Sequence, residues 1–160
     1  MKIPSRILPV IVFAQFCGTS LWFAGNAVMP ELISVFELSS NALSLLTSAV
    51  QSGFILGTLL FAILSISDRF SPTHVFFLCA IFGSICNLSS ILEDNNLYSL
   101  MIIRFLVGFS LAGIYPVGMK IASDHYEKGL GRSLGFLVGA LVLGTAFPHL
   151  LKATSEIVQL

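Results

Sequence analysis

The chain is dominated by long apolar runs separated by short polar breaks. Five runs are long enough to cross a bilayer, for which a helix needs about 20 mostly apolar residues. The pattern predicts spans over residues 7–29, 42–66, 74–92, 98–119 and 134–151. Pro30-Glu31 closes the first, Asp68-Arg69 the second, Glu93-Asp94 the third and Lys152 the fifth. Only the fourth holds an internal charge, Arg104. Ser39 is the expected N-cap of the second span, and Asn95 or Asn96 that of the fourth, since short side-chain oxygens satisfy free backbone N–H groups there. The longest polar connection, residues 123–132, precedes the fifth span.

The expected fold is therefore an all-α integral membrane domain over residues 1–160, with about five transmembrane helices and no soluble domain. Composition agrees: 56% of residues are hydrophobic and 10% charged, with a mean hydropathy of +0.94. A soluble domain carries roughly 25% charged residues. The formal net charge of zero gives no footprint for nucleic acid. Cys17, Cys79 and Cys86 are odd in number and lie in apolar runs, which excludes a disulfide framework and gives no metal-ligand spacing. The first run could also be read as a signal peptide, with Lys2 and Arg6 at its start. Its apolar length exceeds the roughly 7–15 residues of a signal core.

Loop charge sets the expected orientation. With the N-terminus in the cytoplasm, Lys2, Arg6, Arg69, Lys120, Lys128 and Arg132 fall inside and only Lys152 outside. The C-terminus then lies outside, in a cell membrane. No phosphate-binding glycine loop, His-Glu-x-x-His or Cys-x-x-Cys occurs, and His74, His125 and His149 lie at three separate helix ends. No catalytic residues, metal or cofactor are expected, and an enzyme is the least supported class.

The residues that could handle a solute are polar groups within spans. A charge inside the bilayer faces the bundle interior and marks a functional position; Arg104 could instead extend to the outer surface. Gln15, Thr19, Trp22 and Asn26 share one face of the first span. Lipid offers no hydrogen bonds, so that face meets protein or water, as a solute-pathway wall or as polar contact between helices. Gln51 lies on a polar face of the second span with Ser44, Thr47, Ser48 and Ser52. Gly53 and Gly57, then Gly135 and Gly139 with Gly144 beyond, have the spacing of close helix packing. Tyr115-Pro116 is expected to kink the fourth span, loosened by Gly108, Gly113 and Gly118.

Four segments resemble the major facilitator superfamily of secondary transporters. Asp68-Arg69 between spans two and three is similar to its loop motif. Arg104-x-x-x-Gly108 is similar to its fourth-span motif. Glu127 to Arg132 is similar to the charged segment before span five, and Gly135, Gly139 and Gly144 to the span-five packing and hinge motif. Leu64 stands where the loop motif has Gly, and Pro148 comes late in span five. The resemblance implies alternating access by two halves of about six spans each, with this chain as an incomplete N-terminal six-helix bundle. It implies a small solute of unstated identity, touched by Gln15, Thr19, Trp22, Asn26, Gln51, Arg104 and Tyr115. Asp68 and Arg69 would gate by contact with the other half, and the glycines with Pro116 would serve packing and hinging. The implied partners are the lipid bilayer and a complementary C-terminal half or another copy of the chain. The alternative is a non-transporting remnant or a partner-binding membrane subunit.

Overall fold

A computed structural model describes residues 6–39, 41–126 and 129–158, with backbone alone at 24, 147–149, 151–152 and 155–158. Lys2, Glu127 and Lys128 lie outside the described residues, as do the side chains of Pro148, His149 and Lys152. The described residues form eight helices: α1 (Ile7–Ala27), α2 (Met29–Val35), α3 (Ala42–Ile63), α4 (Ile66–Arg69), α5 (Pro72–Ser89), α6 (Leu97–Ala112), α7 (Tyr115–His125) and α8 (Leu130–Val158). Four are long and apolar enough to cross a membrane: α1, α3, α5 and the α6–α7 stretch Leu97–His125. The fifth expected span falls in α8, whose described apolar part, Leu130–Ala146, is shorter.

The element ends differ from the sequence pattern where local chemistry intervenes. Pro30 does close the first span, but it also opens α2, because a missing N–H costs nothing in a first helical turn. Asn41, not Ser39, is the N-cap residue of α3, with no side-chain cap bond. Asn96 caps α6 through a reciprocal pair with Ser99. The break in the fourth span falls at Gly113-Ile114, just ahead of Tyr115-Pro116. There the Gly113 and Ile114 N–H groups bond three residues back, to Ser110 and Leu111, and Pro116 sits in the first turn of α7. The pyrrolidine ring cannot donate inside a helix, so the chain ends one helix and begins another.

Helix α6 stands at the centre, flanked by α3 and α5, while α1 pairs with α8 and α7 reaches α5, α1 and α8. The α3–α6 crossing brings backbone against backbone. A methyl at Gly53 would run into the Phe105 carbonyl, and one at Gly108 into the Val50 carbonyl. At Gly57 it would lie 2.8 Å from the Ala112 Cβ. Gly108 thus serves packing as Gly53 and Gly57 do. Val107, Leu111, Ile114 and Cys86 form the main core. Phe13, Ile55, Phe77, Ile85, Ile102 and Val142 point outward, where acyl chains cover them at no cost.

Alanine at Gly53 or Gly108 should therefore destabilise the bundle by about 1–3 kcal/mol, because backbone atoms on both sides cannot yield. Alanine at Gly135, which meets open space, should be neutral or stabilising by up to about 1 kcal/mol. Denaturant titration in mild detergent, followed by fluorescence of the single Trp22, measures both.

Candidate functional site

The polar face of α1 divides along its length. Near the middle, Thr19 and Trp22 join Phe23, Phe54 of α3, Leu111 of α6, Tyr115 of α7 and Leu141 of α8 around a cavity of about 260 Å³. Trp22 stacks edge-on against Phe54, with ring centres 5.7 Å apart. Thr19 Oγ1 donates to the Gln15 carbonyl at 2.8 Å, so its hydroxyl is held within its own helix. The walls are almost wholly apolar and aromatic; Thr19, Trp22 and Tyr115 are the lining residues whose side chains carry a polar group. Such a cavity suits a flat or aliphatic solute body.

Arg104 forms a second polar locus. It is buried at 3% exposure and faces the end of α1 rather than the outer surface. Its Nη2 donates to Asn26 Oδ1, while the buried Nε and Nη1 have no partner among the described residues. Gly25 makes room for it, since a Cβ there would collide with Nη1. Beside it Asn87 Nδ2 donates to the Leu21 carbonyl at 3.3 Å, tying α5 to α1.

The remaining expected residues lie apart from both. Gln15 is fully buried, with its Oε1 against Gly118 of α7, where a larger residue would collide. It meets a helix backbone instead of the cavity. Gln51 is exposed. The buried edge of α3 is Leu46, Val50, Gly53 and Gly57, and this rotation turns Gln51 away and gives Phe54 the cavity. A Cβ added at Gly135 or Gly139 would meet nothing within 4 Å; with Pro9, Phe13 and Phe136 these glycines line an open groove between α1 and α8. Their close-packing role is therefore unfilled among the described residues, whereas a Cβ at Gly144 would lie 3.5 Å from Phe23 and Thr19.

At the other end, Asp68 enters through Ser65, held in the left-handed region at φ 49°. Lys120 Nζ lies 2.8 Å from Asp68 and 3.7 Å from Asp124. Arg69 is exposed. The loop between α3 and α5 and the end of α7 therefore share one end of the bundle.

The model of the Major Facilitator Superfamily matches residues 11–148. The chain belongs to that superfamily. Two relatives are similar over most of it. One is the inner membrane transport protein YnfM of Escherichia coli (strain K12), 26% identical over 153 residues, covering 87% of this chain and 35% of the relative. The other is the niacin transporter NiaP of Acinetobacter baylyi, 28% identical over 172 aligned positions, covering 93% of this chain and 38% of the relative. The chain thus spans a little over a third of their length. No solved structure matches significantly.

In this major facilitator chain the residues missed by sequence reasoning are the partners. Phe23, Phe54, Leu111 and Leu141 complete the cavity, and nothing in their apolar character marks them. Lys120 and Asp124 are spaced as a helix pair, but their link to Asp68 depends on folding. Asn87 carried a signal, being a polar side chain within an apolar span.

Replacing Asn26 by leucine should destabilise the fold by about 1–3 kcal/mol, since it strips a buried guanidinium of its one acceptor among the described residues. The Asn26→Leu, Arg104→Met double variant should recover much of that loss. Unfolding titrations of the two single variants and the double variant give the coupling directly.

Proposed function

We propose that this chain forms the first half of an alternating-access transporter for a small solute, working with a complementary C-terminal half or a second copy. The observation that carries the reading is the convergence of Thr19, Trp22, Phe54, Leu111, Tyr115 and Leu141, from α1, α3, α6, α7 and α8, on one cavity. Family membership supports transport by rocking of two helical halves about a midplane site. In this reading Trp22 and Phe54 grip the solute body, and Tyr115 supplies the polar contact. Because one relative is named for niacin, a small organic solute is the class to test first.

An exposed polar stripe supports the partner. Ser44, Ser48, Gln51 and Ser52 are all exposed on α3. Lipid cannot hydrogen-bond such a stripe, which calls for water or protein opposite it. Gln51 then borders the pathway from the side that the partner closes. Asp68, held by Lys120, fixes the loop, and Arg69 is left to reach the opposing half as a gate. The lopsided loop charges support this loop facing the cytoplasm, in a cell membrane, with the C-terminus outside.

Vesicles holding the chain with a complementary half should take up solute above empty vesicles, and Trp22→Ala should cut the rate at least tenfold. Uptake equal to empty vesicles would leave a partner-binding membrane subunit as the role. Orientation is read separately by a Ser71→Cys variant in whole cells. Its thiol should resist an impermeant maleimide until the membrane is opened, and immediate labelling would reverse the assignment.

A further inference from the structure

Arg104 borders a second cavity, of about 170 Å³, lined by Leu32 of α2, Leu46 of α3, Asn87 of α5, Ser90 just beyond that helix, and Leu100 of α6. It is distinct from the Trp22 cavity, with which it shares no lining residue. Val28 and Ile91 form its rim and are 50% and 71% exposed, so it opens between the ends of α1 and α5. Its chemistry is lopsided. One end holds a buried guanidinium with two unpartnered nitrogens, beside the Asn87 amide and the Ser90 hydroxyl. The rest is aliphatic.

Each half of that description selects a ligand feature. A guanidinium inside the bilayer region requires an anion or dense hydrogen bonding, and Asn26 supplies neutral acceptance without charge. The free N–H groups match a carboxylate, which accepts charge-assisted hydrogen bonds from a guanidinium. The aliphatic walls disfavour a strongly hydrated ion such as phosphate. The volume is many times the roughly 10–15 Å³ that one water needs, so a bare halide would leave most of it empty.

We propose that this cavity binds a small monocarboxylate, with its carboxylate on Arg104 and its apolar body against Leu32, Leu46 and Leu100. The binding step stands on the cavity alone. Movement of that ligand across the membrane rests on the transport reading above. Asn87 and Ser90 add polar contacts at the head of the ligand, and Gly25 leaves the room that the guanidinium occupies.

Benzoate serves as the probe, measured by equilibrium dialysis against the purified chain in neutral detergent at constant ionic strength. Saturable binding of one benzoate per chain is expected, with benzamide and chloride competing at least tenfold more weakly. Arg104→Gln should weaken binding at least tenfold. If that variant does not fold, Ser90→Leu decides, because it keeps the guanidinium and fills the cavity, and it should weaken binding to the same degree. Equal competition by benzamide would reduce the effect to apolar partitioning, and equal competition by chloride would make it a halide site. Either result overturns the proposal, as does wild-type affinity in Ser90→Leu or absence of saturable benzoate binding. If binding is present while vesicle uptake is absent, the site stands and the transport reading falls.

Discussion

The reciprocal approach of α3 and α6, glycine against carbonyl, governs where everything else can sit. Between helices in lipid there is no hydrophobic gain to be had, since acyl chains are as apolar as leucine. Attraction must come from dispersion over closely fitted surfaces, and each atom pair contributes only about 0.1–0.2 kcal/mol. Gly53 and Gly108 remove the side chains that would hold the backbones apart, so that the Phe105 and Val50 carbonyls become the contact surface. With α6 pinned along that line, its rotation is fixed. Arg104 then faces the end of α1, and Leu111 faces the Trp22 cavity.

That rotation separates two kinds of polarity. At the centre, one aromatic cavity takes side chains from five helices and carries almost no charge. Towards the α2 end, one cation sits among aliphatic walls with a single neutral acceptor. A membrane chain can hold both only because helix neighbours change with depth. The break at Gly113-Ile114 contributes to this. It starts α7 as a separate helix that packs on α5 and α1, with Tyr115 at the cavity and Gly118 over Gln15.

The same dependence on depth explains what was legible from residues alone. The spans could be read, because hydropathy reports a constraint that the bilayer imposes locally on each helix. The shared face of Gln15, Thr19, Trp22 and Asn26 could be read as well. Its division into a helix contact, a cavity wall and a guanidinium partner could not, because periodicity gives direction around an axis and not the neighbour met there. Gly53-x-x-x-Gly57 and Gly135-x-x-x-Gly139 show the limit clearly. Their spacing is identical, yet one pair meets a backbone and the other meets open space. The short α2 and α4 were missed for another reason: both turn on single residues, Pro30 and the left-handed Ser65, within stretches whose average composition resembles their flanks.

Asn26 is the instructive choice at Arg104. A carboxylate at that position would neutralise the guanidinium and close the site on itself. An amide accepts one N–H, holds the side chain in place, and leaves the charge uncancelled in a low-dielectric setting where it acts strongly. Two further N–H-bearing nitrogens are buried without partners among the described residues, in a side chain that borders a cavity. That arrangement costs stability in the isolated chain, and the cost falls when an anion arrives. An acid at position 26 would satisfy the cation within the chain, whereas the amide leaves its charge to an anion from outside.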